Sequence, residues 1–224
     1  MIGLQVLKRE RAVALELAKR FRAVPVANVS DCMSRMSAGG ERIRPMHAGG
    51  YMAGPALTVR VRPGDNLLVH KALQMAVPGD VIVVDAGGDL TNAIIGDIMV
   101  GDAVRRRLGG MVVDGAVRDA NAIRSGSFPV FAAGVTHRGP YKDGPGEINV
   151  PIAVDGMVVH PGDLIIGDDD GILCVPFDHV EALLAAGTQK GLAEAKMVAD
   201  MAEGRYDASW IDANLRRIGW VEQP

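Results

Sequence analysis

Asp97 is separated by twenty residues from the pair Arg118-Asp119, and each site follows a short apolar run rich in valine. Two carboxylates and a guanidinium brought together would hold an anionic substrate beside a hard cation. The planar arginine fork pairs bidentately with an oxyanion. Mg2+ and Mn2+ take oxygen ligands, tolerate one or two protein carboxylates and keep water in the remaining positions, so Asp119 alone would suffice as a direct ligand. Each aspartate also precedes a helical pattern, where simple N-capping accounts for an aspartate equally well. The same helix N-termini offer backbone N–H groups and a positive dipole end to a substrate carboxylate.

The elements that must position these residues can be read from the flanking pattern. One run, Asp80-Val81-Ile82-Val83-Val84-Asp85, leads through Ala86-Gly87-Gly88-Asp89 to Gly96-Asp97; the other, Gly110-Met111-Val112-Val113-Asp114, leads through Gly115-Ala116-Val117 to Arg118-Asp119. Between them Ile98, Met99, Val104 and Leu108 have helical spacing, with Arg105, Arg106 and Arg107 on a polar side, so the segment reads β-loop-α-β-loop. A crossover helix of this length makes the strands parallel and the connection right-handed. Both loops then leave the C-terminal edge of one sheet, where open α/β sheets bind ligands.

Elsewhere the spacing predicts an amphipathic helix over Leu4 to Phe21, a short helix over Val29 to Met36 starting near Ser30 or Asp31, and loop from Glu41 to Gly54. Ala56 to Val61 alternates as a strand, Asn66 to Ala76 returns to helical spacing, a short helix runs to about Ser125, and Val130 to Ala133 is a strand. Gly134 to Glu147 reads as a long irregular loop, a class that is often functional, with His137, Arg138 and Tyr141 as candidates in it. From Ile148 to Val175 short apolar runs alternate with turns at Asp155-Gly156, Pro161-Gly162 and Asp170-Gly171, and Asp-Gly between apolar runs is a hairpin signal. Asp178 to about Glu203 is a helix expected to break near Gly187 and Gly191, and the tail to Pro224 carries Trp210, Ile211, Leu215, Ile218 and Trp220. Those side chains call for packing, on a partner or on the body of the domain. One domain over residues 1–224, with helical arms at both ends, is expected.

Composition removes several function classes. The 224 residues are 48% hydrophobic but only 4% aromatic, and the formal charge of -3 offers no reason to bind nucleic acid. Arg105 to Arg107 reads as a solvated helix face or intersubunit contact. Cys32 and Cys174 belong to no CxxC pair, which fits a reducing cytoplasm, and no signal-peptide core or membrane-spanning apolar stretch is present. Asp168-Asp169-Asp170-Gly171 lacks the spaced acids of an EF-hand loop and joins two β runs, so it is a hairpin turn. His70 is expected to be a packed or surface histidine. No GxSxG elbow and no i, i+4 histidine pair exists, and the glycines after Asp85 match neither GxGxxG nor GxxxxGK[ST]. A methyltransferase reading would rest on that glycine turn alone.

Taken together, Gly64-Asp65-Asn66-Leu67, Asp80 to Gly88, Gly96-Asp97, Val113 to Asp119, Asn149-Val150-Pro151-Ile152 and Pro161 to Gly171 resemble the family that unites the regulator of ribonuclease activity A with the class II pyruvate aldolases, over about residues 20 to 180. The resemblance implies an α/β/β/α sandwich like the phosphohistidine swivelling domain, assembled as homotrimers or homohexamers with active sites between subunits and with residues 178–224 in subunit contacts. It implies Mg2+ or Mn2+ bound directly by Asp119, Arg118 at the keto or enolate oxygen, and Asp97 holding a water used in proton transfer. Backbone amides of Gly96, Asp97, Ile98 and Met99 would receive the pyruvyl carboxylate. Glu194, in Ala193-Glu194-Ala195-Lys196, matches a glutamate that a neighbouring subunit contributes to the metal's water shell.

The activity so implied is cleavage of 4-hydroxy-4-methyl-2-oxoglutarate or 4-carboxy-4-hydroxy-2-oxoadipate to pyruvate and a second oxo acid, with decarboxylation of oxaloacetate. Regulator members often lack the acid at the Asp97 position, so its presence favours an enzyme over the alternative, a non-catalytic protein that binds a ribonuclease or RNA helicase. The chain departs from the aldolases after its long helix, where Gly204-Arg205-Tyr206-Asp207-Ala208-Ser209-Trp210 stands in place of a Gly-x-Leu-Gly-Leu-Asp-like stretch.

Overall fold

Alternation along the valine-rich runs sends neighbouring side chains to opposite faces of a sheet. In strand β4 (Val81–Asp85), Ile82 and Val84 enter one apolar cluster while Val81 and Val83 enter another. Strand β6 (Gly110–Val117) divides in the same way, with Met111 and Val113 on the first side and Val112 on the second. The computed structural model describes residues 3–36, 40 and 42–221.

Before β4 the chain forms β1 (Leu4–Val6), α1 (Leu15–Arg20), α2 (Val26–Cys32), β2 (Arg44–Pro45), β3 (Met52–Val61) and α3 (Leu67–Met75). Between β4 and β6 lie β5 (Ala93–Ile95) and α4 (Asp97–Arg105). There follow α5 (Ala120–Arg124), β7 (Val130–Val135), β8 (Gly146–Ile148), β9 (Ile152–Val154), β10 (Met157–Val159), β11 (Leu164–Asp168), β12 (Gly171–Val175), α6 (Val180–Ala202) and α7 (Ser209–Arg217). The fold is mixed α/β. A ten-stranded sheet has the order β1-β8-β3-β4-β6-β7-β2, with β5 beside β6 and with β11 pairing both β3 and β12. Strands β3, β4, β6 and β7 are parallel, and the β4–β6 register sets Val81 opposite Gly110 and Asp85 opposite Asp114. The chain therefore leaves β4 and β6 at one edge, as expected.

Three apolar clusters fill the first of two compact units, Met1–Thr188 and Gln189–Pro224. Helices α3, α4 and α5 lay Leu68, Val69, Met99, Ala103 and Ile123 on one face of the parallel strands. The opposite face meets Ile152, Val154, Met157, Val159, Ile165 and Cys174. Leu164 and Ile166, alternating with Ile165, turn instead to Ala18, Phe21, Val29, Val180 and Leu184. In the second unit Trp210, Ile211, Ile218 and Trp220 are exposed. Among the described residues no helix is long and apolar enough to cross a membrane, and Cys32 and Cys174 are free thiols.

Several sequence expectations give way to tertiary context. Leu4 to Phe21 is not one helix: Leu4–Val6 pairs in parallel with Gly146–Ile148, and the chain stays irregular until Leu15. Strand partners supply the backbone hydrogen bonds there, which outweighs a helical side-chain pattern. The second short helix starts at Val26, after Pro25, because the Val26 N–H donates to Asp168 Oδ2 at 2.9 Å from a distant hairpin. The expected loop ahead of Ala56 contains β2 and the start of β3; Glu41, at its beginning, lies outside the described residues, as do the last three residues of the tail. Gly115-Ala116-Val117 continues β6 rather than forming loop, and β7 and β8 take the two ends of the expected loop from Gly134 to Glu147. Helix α6 is unbroken, since Gly187 serves close packing: a Cβ there would stand 2.9 Å from Val24 Cγ1. Both predicted aspartate turns hold, at Asp155-Gly156 between β9 and β10 and at Asp168 to Gly171 between β11 and β12.

At Gly54, in β3, a Cβ would come within 2.1 Å of the Gly79 carbonyl oxygen, a backbone atom with no side-chain freedom to yield. Gly54→Ala is expected to lower the stability of the chain by about 2 kcal/mol or more, as overpacking does, measured as a fall in the urea midpoint. An unchanged midpoint would contradict this account of the strand's packing.

Candidate active site

Strand β6 delivers Arg118 and Asp119 to the C-terminal edge, where the Arg118 N–H donates to Ile95 O at 3.0 Å and so ties the end of β6 to β5. Asp119 then takes a left-handed backbone, φ 57° and ψ 37°, which turns the chain into α5. Aspartate is one of the few non-glycine residues that tolerate that region. Its carboxylate makes no capping bond to α5; Oδ2 accepts the Asp97 N–H at 3.2 Å, across the edge, and stands 3.4 Å from Arg118 Nε. Asp97 behaves as a helix-start residue, its Oδ1 accepting the Ile98 N–H at 2.7 Å. Neither carboxylate therefore caps its helix in the usual way: the N-cap of α4 is Gly96, and Asp119 stands at the N-cap of α5 without bonding to it. Gly96, the N-cap of α4, makes this approach possible, because a Cβ there would lie 2.3 Å from Asp119 Oδ2 and 3.0 Å from Arg118 Cγ.

Arg118 and the start of α4 form one wall of a cavity of about 240 Å3, with Gly96, Ile98 and Met99 beside them. Asn66, His70, Gly139, Pro140 and Lys142 line the rest. The segment before β8 is drawn in by Asp65, which is fully buried: Oδ2 accepts the N–H groups of Asp143 and Gly144, each at 2.8 Å, and Oδ1 accepts that of Leu67 at 2.9 Å. Tyr141 adds a backbone clasp, donating to Gly64 O at 2.8 Å and accepting from the Asn66 N–H at 3.0 Å. Gly139 comes to rest where a Cβ would stand 3.2 Å from Arg118 Nη1.

Asn66 is 2% exposed; its Nδ2 donates to Ile94 O at 2.9 Å, and Oδ1 has no partner among the described residues. Burial pushes the His70 imidazole below its ordinary pKa, and the nearby Lys142 ammonium pushes the same way.

Of the residues singled out from sequence, Gly96, Asp97, Ile98, Met99, Arg118 and Asp119 gather at this edge. Glu194 lies on α6 in the second unit, in an ion pair with Lys190 at 3.1 Å. His137, Arg138 and Tyr141 do not line the cavity: Arg138 is held through its carbonyl to the Ala93 N–H at 2.9 Å, and the Tyr141 ring lies under Arg62 at 5.9 Å. Asn66 and Lys142 were not foreseen, and His70 sits on a cavity wall rather than in plain packing or on open surface. The aspartate-asparagine step ahead of α3 was the available signal for Asn66. Arg105 and Arg106 pair with Asp102 at 2.7 and 2.8 Å, as a solvated helix face does.

Among the described residues no three His, Cys, Asp or Glu side chains gather around a common point. A cation at this edge would therefore use few protein ligands and keep its water. Asp119 fits that requirement, because its carboxylate is 37% exposed, faces no cap of its own and offers hard oxygens.

The left-handed backbone makes the residue at 119 a stability determinant apart from any chemistry. Asp119→Ala should cost about 1 kcal/mol through backbone strain alone, whereas Asp119→Asn should cost markedly less. Urea unfolding of the two variants checks the difference, and equal losses would show that the conformation is not what constrains the position.

The sequence profile of the RraA-like family, described as Aldolase/RraA, matches residues 26–174. A protein of Halalkalibacterium halodurans, named provisionally as a 4-hydroxy-4-methyl-2-oxoglutarate aldolase, is 42% identical over 176 residues, which is 79% of this chain and 84% of its own. A Thermus thermophilus protein that bears the aldolase name without qualification is 39% identical over 124 residues, 55% of this chain and 75% of its own. Among solved structures, the RNA-processing inhibitor RraA of Thermus thermophilus superposes with a TM-score of 0.63 at 33% identity, covering 68% of this chain and 92% of that one. On sequence and on fold alike, the chain belongs to the RraA-like family.

Proposed function

We propose that the chain is a divalent-metal-dependent lyase that cleaves 4-hydroxy-2-oxo dicarboxylic or tricarboxylic acids of the 4-hydroxy-4-methyl-2-oxoglutarate type to pyruvate and a second oxo acid, and that it also decarboxylates oxaloacetate. The observation that carries this reading is the convergence of Asp97, Arg118 and Asp119 at one sheet edge, with the Asp119 carboxylate 3.2 Å from the Asp97 nitrogen and Arg118 lining the adjoining cavity. The aldolase names of the two relatives support it.

Asp119 would hold Mg2+ or Mn2+, which when bound supplies Lewis-acid polarisation of the substrate's keto oxygen. The substrate's 1-carboxylate goes to the N-terminus of α4. Support comes from the N–H groups of Asp97 and Ile98, which already donate to carboxylate oxygens, those of Asp119 and Asp97. Arg118 faces the keto oxygen and stabilises the negative charge that collects there as the C3–C4 bond breaks. The 4-hydroxyl gives its proton to the water held by the Asp97 carboxylate as C4 becomes a carbonyl, and the electron pair of the broken bond passes into the enolate of pyruvate. A water held by the Asp97 carboxylate returns a proton to C3. With oxaloacetate the same bond breaks and carbon dioxide leaves in place of the second oxo acid.

The proposal includes an α/β/β/α layering like the phosphohistidine swivelling domain, a cytoplasmic setting, and assembly as homotrimers or homohexamers in which Glu194 of the partner subunit reaches the metal's water shell. The exposed Trp210, Ile218 and Trp220 support self-association, which would cover them. A second reading, a non-catalytic regulator that binds a ribonuclease or RNA helicase, is favoured by the 33% identity to an RNA-processing inhibitor. Retention of Asp97, Arg118 and Asp119 counts against it, since a binding module has no use for an aligned metal site.

Pyruvate release from oxaloacetate and from 4-hydroxy-4-methyl-2-oxoglutarate, with and without Mg2+, tests the reading. Turnover should require the ion and should fall by about a thousandfold in Asp119→Asn. Gly96→Ala should lose about a hundredfold by displacing the Asp119 carboxylate while the chain stays folded. Turnover indifferent to both metal and Asp119 would sink the reading.

A further inference from the structure

We infer that Asn92 is a positioning residue for Arg118: its side-chain amide holds Gly139 against the Arg118 guanidinium and so fixes where that cation meets the reacting oxygen. The inference rests on the lyase reading above and gives a task to the glycine loop after β4, which that reading leaves unused.

The geometry runs through three contacts. Asn92, at the end of the loop and 8% exposed, donates from Nδ2 to the Gly139 carbonyl oxygen at 2.6 Å. A carbonyl only accepts, so the bond sets which end of the amide faces Gly139. Asn92 also packs on the turn at Gly64, where φ is +77° and a Cβ would stand 3.2 Å from Asn92 Cβ. Gly139 in turn backs the guanidinium: a Cβ there would stand 3.2 Å from Arg118 Nη1, with no other heavy atom of the described residues within 4 Å outside its chain neighbours.

Arg118 therefore lies between two groups, Asp119 Oδ2 at 3.4 Å from Nε and the Gly139 backbone beside Nη1. Its side chain is 41% exposed, and an ion pair with that exposure holds a long side chain weakly. Backbone on the Gly139 side limits the swing that the ion pair permits.

The neighbouring ties end on other residues. Ala93 N–H bonds Arg138 O at 2.9 Å, Tyr141 bonds Gly64 and Asn66, and Asp65 takes Asp143 and Gly144. They persist without the Asn92 amide, so the segment stays on the domain and the placement of Gly139 is what is lost. A small displacement of a preorganised charge costs rate. Asn92 itself stands outside the cavity lining, so its effect on chemistry passes through Arg118.

Calorimetric titration of the Mg2+-loaded protein with oxalate, a planar dianion that stands in for the charge of the pyruvate enolate, reads that placement without turnover. Asn92→Leu keeps the volume and removes the donor; Asn92→Ala removes the donor without adding bulk near Gly64. Both should weaken oxalate about tenfold and pyruvate, uncharged at its keto oxygen, by about twofold. In an Arg118→Gln background the same substitutions should change oxalate affinity by less than about twofold, the non-additivity of a residue that acts through Arg118. In pyruvate release from oxaloacetate, kcat should fall about tenfold with KM little changed. A loss on oxalate that persists in the Arg118→Gln background, equal losses for the two acids, or absence of oxalate binding by the wild type overturns the inference. So does unchanged oxalate affinity beside a lowered urea midpoint, which marks a merely structural residue. Absence of pyruvate release with the oxalate pattern intact overturns the lyase reading alone.

Discussion

The hydrogen bond from the Asp97 backbone N–H to the Asp119 carboxylate joins two chain crossings that sequence keeps far apart, and the site is organised around it. Its preconditions lie in the sheet. Strands β4 and β6 must be parallel and in register, so that the loops after Asp85 and Val117 end at one edge. Position 96 must lack a side chain, and position 119 must adopt a left-handed turn that few residues accept. An anionic oxygen already rests on the start of α4, which shows the electrostatic character of that helix end more directly than a dipole argument does.

The other wall of the cavity depends on a different buried group. Asp65 accepts backbone N–H groups from Leu67, Asp143 and Gly144, and thereby binds the segment around Gly139 to Lys142 to the N-terminus of α3. A carboxylate removed from water is retained where it is saturated with donors, and this one is. The consequence for function is positional. Asn66, the next residue, is pinned through its amide nitrogen to Ile94 O, and Lys142 is carried into the lining of the cavity.

The supporting layers explain why so few aromatic residues suffice. Three apolar clusters built from valine, isoleucine, leucine, alanine and methionine meet across alternating strand faces, and close backbone approaches at Gly54 and Gly187 replace bulk with proximity. The parallel strands β4 and β6, the crossover helix and both aspartate hairpins were legible because each has a local cause: a period of two, a period of 3.6, or a residue that accepts a turn. Strand β1 was not, since three residues of apolar pattern cannot reveal that Gly146–Ile148 lies beside them. The unbroken course of α6 was hidden for a related reason, because a glycine used for packing and a glycine that ends a helix look alike in sequence.

By itself the sequence determined the residue types of the site, the α/β alternation that carries them and the sheet edge they share, because side-chain periodicity and crossover handedness are local consequences of chirality and pleat. It left open whether Asp97 and Asp119 were caps, and it passed over Asn66 and Lys142. Only the tertiary structure decided that the Asp119 carboxylate turns away from its own helix to the start of α4, that the Asn66 amide is buried on Ile94 O, and that Glu194 sits in a separate compact unit. The direction of a side chain at a left-handed turn, and the partner a buried amide finds, are settled by chain segments distant in sequence, and no local pattern encodes them.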